Sequence, residues 1–527
     1  MLFYAPEFIF LFLPVALTGY FLLGRKSAGY ARGWLLASSL VFYALGTSAN
    51  LVLLLISIGA NFYLARTFAE ERVGSKVKKG LLWSGIVLNL GVLVYYKCQG
   101  LLFVEIPSGS QNAFMDILIP LGLSFFTLQQ IAFLVDTYKG KIKETRLFRY
   151  ALFVSFFPQL IAGPIVRYQE LVPQLKRKET FRFHVEHLAV GSFVFTLGVL
   201  KKVLIADSLA PMVGSIFHAA AQGQEVSMAA AWLGSVGFYL QLYFDFSAYS
   251  DMALGIARMF GLVLPVNFDS PYRSRNLPQL FLRWHISLYR FLADYLMLPM
   301  MAAMKKMPLG SPVARTRWSV CTATLLTFSL SGLWHGASWN FLLWGVLNGV
   351  MMVLFFLHGS FFPKKKAAKT HKYWGTAATA FFCLFVSVVF RCQSLDQAKV
   401  LFKAMAGCGL VSLPRALEPA LGWLSVFGIK FHGVFDGIVL AQSKWVFSGT
   451  LIMALGIAFA CPNVYALSTR IGSGIPPQTH DESSWSRWYR EPSAAVLVGM
   501  ALGLALMISQ VVDPGGCGSG DFIYFHF

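Results

Sequence analysis

Apolar runs of about 16–20 residues recur from one end of this chain to the other, and each is long enough to cross a hydrocarbon layer as a helix. Charged residues make up only 13% of the 527, against about 25% in soluble domains. In lipid every backbone polar group needs an internal partner, so such runs become helices packed on one another. The expectation is an all-α polytopic membrane protein, a single integral-membrane domain over 1–527 with about 11–14 membrane helices. Candidate spans are 8–23, 33–47, 50–66, 81–97, 117–135, 188–206, 227–244, 247–264, 286–302, 318–334, 336–357, 373–390, 445–461 and 493–511. The first lacks a basic leader and a small-residue cleavage site, so it reads as a span and not a signal peptide.

Charge orients the bundle. The formal net charge is +20, and no nucleic-acid motif accompanies it; basic cytoplasmic loops account for it more simply. Lys and Arg crowd 24–32, 66–80 and 136–150, while the turns at 46–50 and 104–112 have none. By the positive-inside rule both termini lie outside, the last span carrying FIYFHF (522–527) across. The segments 305–317 and 363–372 are also basic, so the apolar stretch between them goes out and returns, with His335 near the turning point of a hairpin or at a break within it. Residues 392–444 are then periplasmic. ALFVSFFPQLIAGPIVRYQ (151–169) has basic flanks on both sides and holds Pro158, Gly163 and Pro164. It is a re-entrant element or, alternatively, an amphipathic helix on the cytoplasmic surface. The seven cysteines have no paired spacing, so neither a metal site nor a disulfide framework is expected, and most read as small core residues.

Three polar clusters interrupt the apolar field. In LRWHISLYRFLADYLMLP (282–299), Arg283, Trp284 and His285 enter an apolar helix with Arg290 and Asp294 at i, i+4 spacing; the plain reading is an interfacial helix with an Arg290–Asp294 pair. In LYFDFSAYSDMALGIARMFG (242–261), Asp245, Tyr249 and Asp251 mark either a polar turn between two helices or a polar break lining a cavity. In SGLWHGASWNFLLWGVLNGV (331–350), His335 sits among Trp334, Gly332 and Gly336. A lone core histidine is most often simply hydrogen-bonded. An imidazole in a low-dielectric bundle nevertheless disfavours its charged form and then suits general-base work on a hydroxyl. No nucleophile-elbow or Cys/His signature is present.

FFPQLIAGPIVR (156–167), YFDFSAYSDMALG (243–255), NFDSPYRSRN (267–276), RWHISL (283–288) and GLWHGASWNFLLWG (332–345) together resemble the membrane-bound O-acyltransferase (MBOAT) family, in the branch whose members acetylate alginate or attach D-alanine to teichoic acid. The likeness runs over 5–358 and resumes weakly at the end; 359–527 would add C-terminal membrane helices. It implies an MBOAT-type bundle with a central tunnel reached from both faces, and carries two functional histidines onto His285 and His335. It implies a cytoplasmic acyl thioester donor (acetyl-coenzyme A or an acyl carrier protein) as substrate, with no permanently bound cofactor and no metal. The acceptor would be a hydroxyl of an exported polysaccharide, reached directly or through a periplasmic acetyltransferase or export proteins, in a bacterial inner membrane. His335 would be the base and His285 would hold the thioester carbonyl or the acceptor. Trp284, Trp334, Asn340, Asp245, Tyr249 and Asp251 would line the tunnel. Ala293, Ala248 and the MMAAMKKMPLG turn (300–310) depart from the family pattern. D-alanyl transfer, a transporter and a scaffold are the alternatives.

Overall fold

A computed structural model describes residues 2–46, 48–70, 72–102, 120–143, 146–308, 310–361, 369–435 and 438–470. The span expected at 493–511, the FIYFHF ending and the turn at 104–112 lie outside the described residues. The described chain is helical, with one isolated bridge between Ser412 and Lys430 in place of strands. Six described helices are long and apolar enough to cross a membrane on their own: Glu7–Lys26, Asn50–Phe68, Ser75–Cys98, Val185–Ala221, Trp339–Ser360 and Tyr373–Arg391. Two more, Met228–Met259 and Pro312–His335, have the length but carry polar side chains that the bundle, not lipid, must receive.

Met228–Met259 is the centre of the molecule. The two spans expected at 227–244 and 247–264 are one unbroken helix of 32 residues. The acids that suggested a break are neutralised by lysines from the neighbouring helix, so no turn is needed to accommodate them. That neighbour spans Val185–Ala221, with Lys201 and Lys202 in a π-helical turn, and its first part, Val185–Leu200, runs antiparallel at close range. A Cβ on Gly191 would lie 2.6 Å from the Gly255 carbonyl oxygen, and one on Gly198 2.9 Å from that of Ala248. Absence of side chains at these positions lets the two backbones touch, which is how helices gain packing energy where lipid supplies no hydrophobic drive.

The 331–350 stretch forms the expected hairpin. Pro312–His335 ends at His335 itself, residues 336–338 turn, and Trp339–Phe361 returns. Gly332 packs on the backbone of Phe341, Gly345 on that of Phe328, and Gly349 on Leu325. Each step down one helix is matched by a step up the other, so the arms are antiparallel and in contact along their length.

Residues 152–166 are all buried. Helix Leu147–Ser155 breaks at Phe156, a single turn spans Phe157–Leu160, and the chain then runs extended. A surface amphipathic helix would expose one face; this segment exposes none, and its irregular backbone is held by protein groups such as the Ser287 hydroxyl, which accepts from the Ile165 N–H at 2.9 Å. The expected Arg290–Asp294 pair does not form. Asp294 lies in a π-helical stretch, Ala293–Met297, whose wider turn changes the i, i+4 register. Arg290 instead binds Glu170 at 2.7 Å and Asp294 binds Arg167 at 2.5 Å. Two ion pairs therefore tie the end of the irregular segment to the helical residues 286–297 that follow His285. Arg283, expected as an interfacial anchor, is buried. Of the described cysteines only Cys383 and Cys392 are buried, so the expectation that most are core residues does not hold.

Candidate active site

His285 lies where two short helices meet. Leu277–Phe281 ends, and Ile286–Leu292 begins with His285 as its N-terminal flanking residue in a left-handed conformation, φ 45° and ψ 51°. Imidazole is a poor cap, and the first N–H groups of a helix need acceptors. Asn267 supplies them from outside: its carbonyl oxygen accepts from Ile286 N–H at 2.9 Å and its Oδ1 from Ser287 N–H at 3.2 Å. The same Oδ1 accepts from the Ser287 hydroxyl at 2.9 Å and lies 3.1 Å from His285 Nδ1. A backbone N–H can only donate, so the atom facing it is the amide oxygen. Nδ1 therefore carries the proton in this contact, and in the neutral ring Nε2 bears the lone pair.

His335 is the last residue of its helix, buried, with its ring edge-on to Trp334, Trp344 and Phe390 at centroid distances of 4.9, 5.2 and 5.3 Å. Two polar groups secure the hairpin tip. The Lys97 ammonium donates to the carbonyl oxygens of Trp334 and His335, the latter at 3.0 Å. The Asn340 amide donates to Cys392 O at 2.5 Å, tying the tip to the end of helix Lys369–Arg391.

Both imidazoles face one cavity of about 90 Å³. Its walls are mostly apolar, with Trp284, Phe246, Leu288, Phe328 and Phe390 among them, and with Ser331, Asn348 and Ser387 as polar points. A concave, largely apolar space with a few convergent polar groups is the usual form of a small-molecule site. Helix Lys369–Arg391 supplies Cys383, Val386, Ser387 and Phe390, so one wall comes from beyond the 5–358 stretch that carries the resemblance.

The other sequence candidates are not among the cavity-lining residues. Trp334 packs behind His335, edge-on to Phe125 at 5.9 Å, and Phe125 in turn stacks on His285 at 6.4 Å. Asn340 holds the hairpin tip. Tyr249 stacks on Phe3 at 5.0 Å. Asp245 binds Lys202 at 2.8 Å, and Lys202 also binds Asp207 at 2.8 Å. Asp251 binds Lys201 at 2.6 Å and accepts from the Tyr465 hydroxyl at 3.2 Å. These acids are paired with lysines. Sequence reasoning singled out neither Asn267 nor Lys97. Asn267 stands in the quoted NFDSPYRSRN block, and Lys97 was legible as a solitary cation closing the apolar run of 81–97.

In this helical bundle with membrane-spanning candidates two histidines line one cavity, and comparison with known proteins gives the class. The model of the MBOAT, membrane-bound O-acyltransferase family, matches residues 141–395. The chain is 32% identical to a peptidoglycan O-acetyltransferase of Helicobacter pylori, over 100% of this chain and 98% of that one. It is 34% identical to the probable alginate O-acetylase AlgI of Pseudomonas aeruginosa over the whole of both chains. A teichoic acid D-alanyltransferase of Bacillus subtilis is 28% identical over 46% of this chain and 60% of its own. The chain belongs to the membrane-bound O-acyltransferase family and is an acyltransferase.

Proposed function

We propose that this protein moves an acetyl group from a cytoplasmic thioester, acetyl-coenzyme A or an acyl carrier protein, to hydroxyls of an exported glycan of the alginate or peptidoglycan kind, directly or through a periplasmic partner. The observation that carries the reading is the meeting of His285 and His335 on one small apolar cavity. Full-length likeness to two O-acetylating relatives favours acetyl over D-alanyl, for which the likeness spans less than half the chain.

Depth supports a transfer across the membrane. Lys97 lies roughly 33 Å along its helix from Ser75, and His335 roughly 35 Å from Pro312, at 1.5 Å per residue. Both helices start beside basic segments, Lys76 to Lys79 and Lys305 to Arg317. A hydrocarbon core is about 30 Å thick, and helices of this length that begin at basic segments support a His335 corner set away from the cytoplasmic face, toward the side from which an exported hydroxyl would arrive. His335 takes the proton of that hydroxyl. The oxygen bonds to the thioester carbonyl carbon, the C–S bond breaks, and the sulfur leaves with the proton that His335 returns. His285, with its lone pair on Nε2, accepts a hydrogen bond from a second hydroxyl of the acceptor and so orients the reacting one; the ring in this tautomer does not donate to the thioester carbonyl. Neither step calls for a covalent protein intermediate.

The test is the O-acetyl content of the exported glycan in cells making His335→Ala at matched membrane levels. Loss of acetylation with continued glycan export is the expected result; unchanged acetylation sinks the assignment of the base.

A further inference from the structure

Lys97 is a cation inside an apolar helix, and intramembrane cations persist only where something receives them. Here the receiver is the backbone end of the His335 helix. A helix C-terminus presents carbonyl oxygens without intrahelical donors and carries the negative end of the dipole. In Pro312–His335 the Gly336 N–H bonds back to Gly332 O at 3.3 Å, and the carbonyls of Trp334 and His335 point to the Lys97 ammonium. That ammonium also lies 5.5 Å from the Trp334 ring centroid, within cation–π range. Three contacts from one group thus fix the last two residues of the helix, one of which is the base. Lysine near a helix C-terminus is a known stabiliser of such carbonyls, but this one comes from a different helix, Ser75–Leu102, and so sets the position of the helix end relative to the rest of the bundle.

We propose that Lys97 is a positioning residue for acyl transfer: its ammonium holds the terminal turn of the His335 helix so that the imidazole meets the reacting hydroxyl in register. The inference rests on the reading of His335 as the base. Its effect falls on the rate of the bound complex, because a displacement of about 1 Å can cost around 100-fold in rate, while the donor's own binding contacts stay in place.

The experiment compares Lys97→Met, Lys97→Gln, Lys97→Arg and His335→Ala with the unaltered full chain in inverted membrane vesicles, using labelled acetyl-coenzyme A as the probe donor and reading kcat and KM separately. Lys97→Met is expected to lower kcat roughly 10- to 100-fold with KM within about twofold, Lys97→Arg to restore most of the rate, and Lys97→Gln to fall between. Where Lys97→Met does not accumulate, the Gln and Arg variants decide: Gln equal to the unaltered protein overturns the proposal, and Gln below Arg sustains it. A change confined to KM also overturns it. Full transfer by His335→Ala defeats the functional reading itself. Loss in His335→Ala with unaltered kcat in Lys97→Met and Lys97→Gln defeats only the role given to Lys97.

Discussion

Asp245 and Asp251 on the central helix each meet a lysine ammonium within 2.8 Å, whereas His285 and His335 meet an amide oxygen, aromatic rings and an apolar cavity. Both regions bury polar side chains in a membrane bundle, and the sequence singled out both, the histidines as catalytic and the acids as tunnel-lining. The difference lies in what the neighbours do to charge. A carboxylate locked to an ammonium has its field cancelled, and changing its protonation would leave a partner unpaired. The imidazoles are held differently, by an amide oxygen and aromatic rings and, at His335, by the Lys97 ammonium on the backbone carbonyl. Intramembrane polarity here therefore divides into ion pairs that hold helices together and imidazoles that line a cavity.

The contrast can be broken most directly at His335. His335→Ala should lower transfer by about 10²–10⁴-fold, the usual reach of general-base catalysis, while the protein still assembles; O-acetyl content per unit of membrane protein reads this. Lys202→Met should do the reverse. It leaves Asp207 and Asp245 without their shared cation and should cost about 3–5 kcal/mol of stability, seen in thermal unfolding of the detergent-solubilised protein, with transfer per folded molecule unchanged. Replacing all three charges together, Lys202→Met with Asp207→Asn and Asp245→Asn, should recover most of that loss. Asn267→Ala sharpens the site half of the comparison. Removing the acceptor of three donors should lower kcat about tenfold, the equivalent of one lost buried hydrogen bond of about 1.4 kcal/mol, with a smaller change in KM. Glu170→Gln marks the lower end. Its pair with Arg290 is partly exposed, the two side chains at 27% and 39%, and its loss should stay within about 1 kcal/mol and shrink further as salt is raised.

Helix type, the hairpin at His335 and the two histidine blocks were legible because each leaves a local mark: apolar run length, alternation of basic loops, and a polar residue inside an apolar field. The continuity of Met228–Met259 was not, because a pair of acids reads as a break unless the lysines that face them are known, and Lys201 and Lys202 lie more than 40 residues away in sequence. The Arg290–Asp294 expectation failed for a related reason: i, i+4 spacing assumes an α-turn, and the π-turn at Ala293–Met297 has no sequence mark that spacing arguments detect. The cavity wall from Lys369–Arg391 is likewise a product of tertiary packing. Asn267 shows the intermediate case, a residue inside a recognisable block whose role emerges only when its two oxygens are seen capping another helix.

The left-handed backbone at His285 bears on how this protein changes over generations of mutation. A residue with a Cβ in that conformation costs on the order of 1–2 kcal/mol, which glycine avoids and asparagine partly avoids. Any selection for expression or heat resistance alone would then enrich Gly or Asn at position 285, giving robust descendants that, on the role proposed for His285, transfer poorly. On the proposed role, histidine would persist there under such a regime where acyl transfer is under selection at the same time.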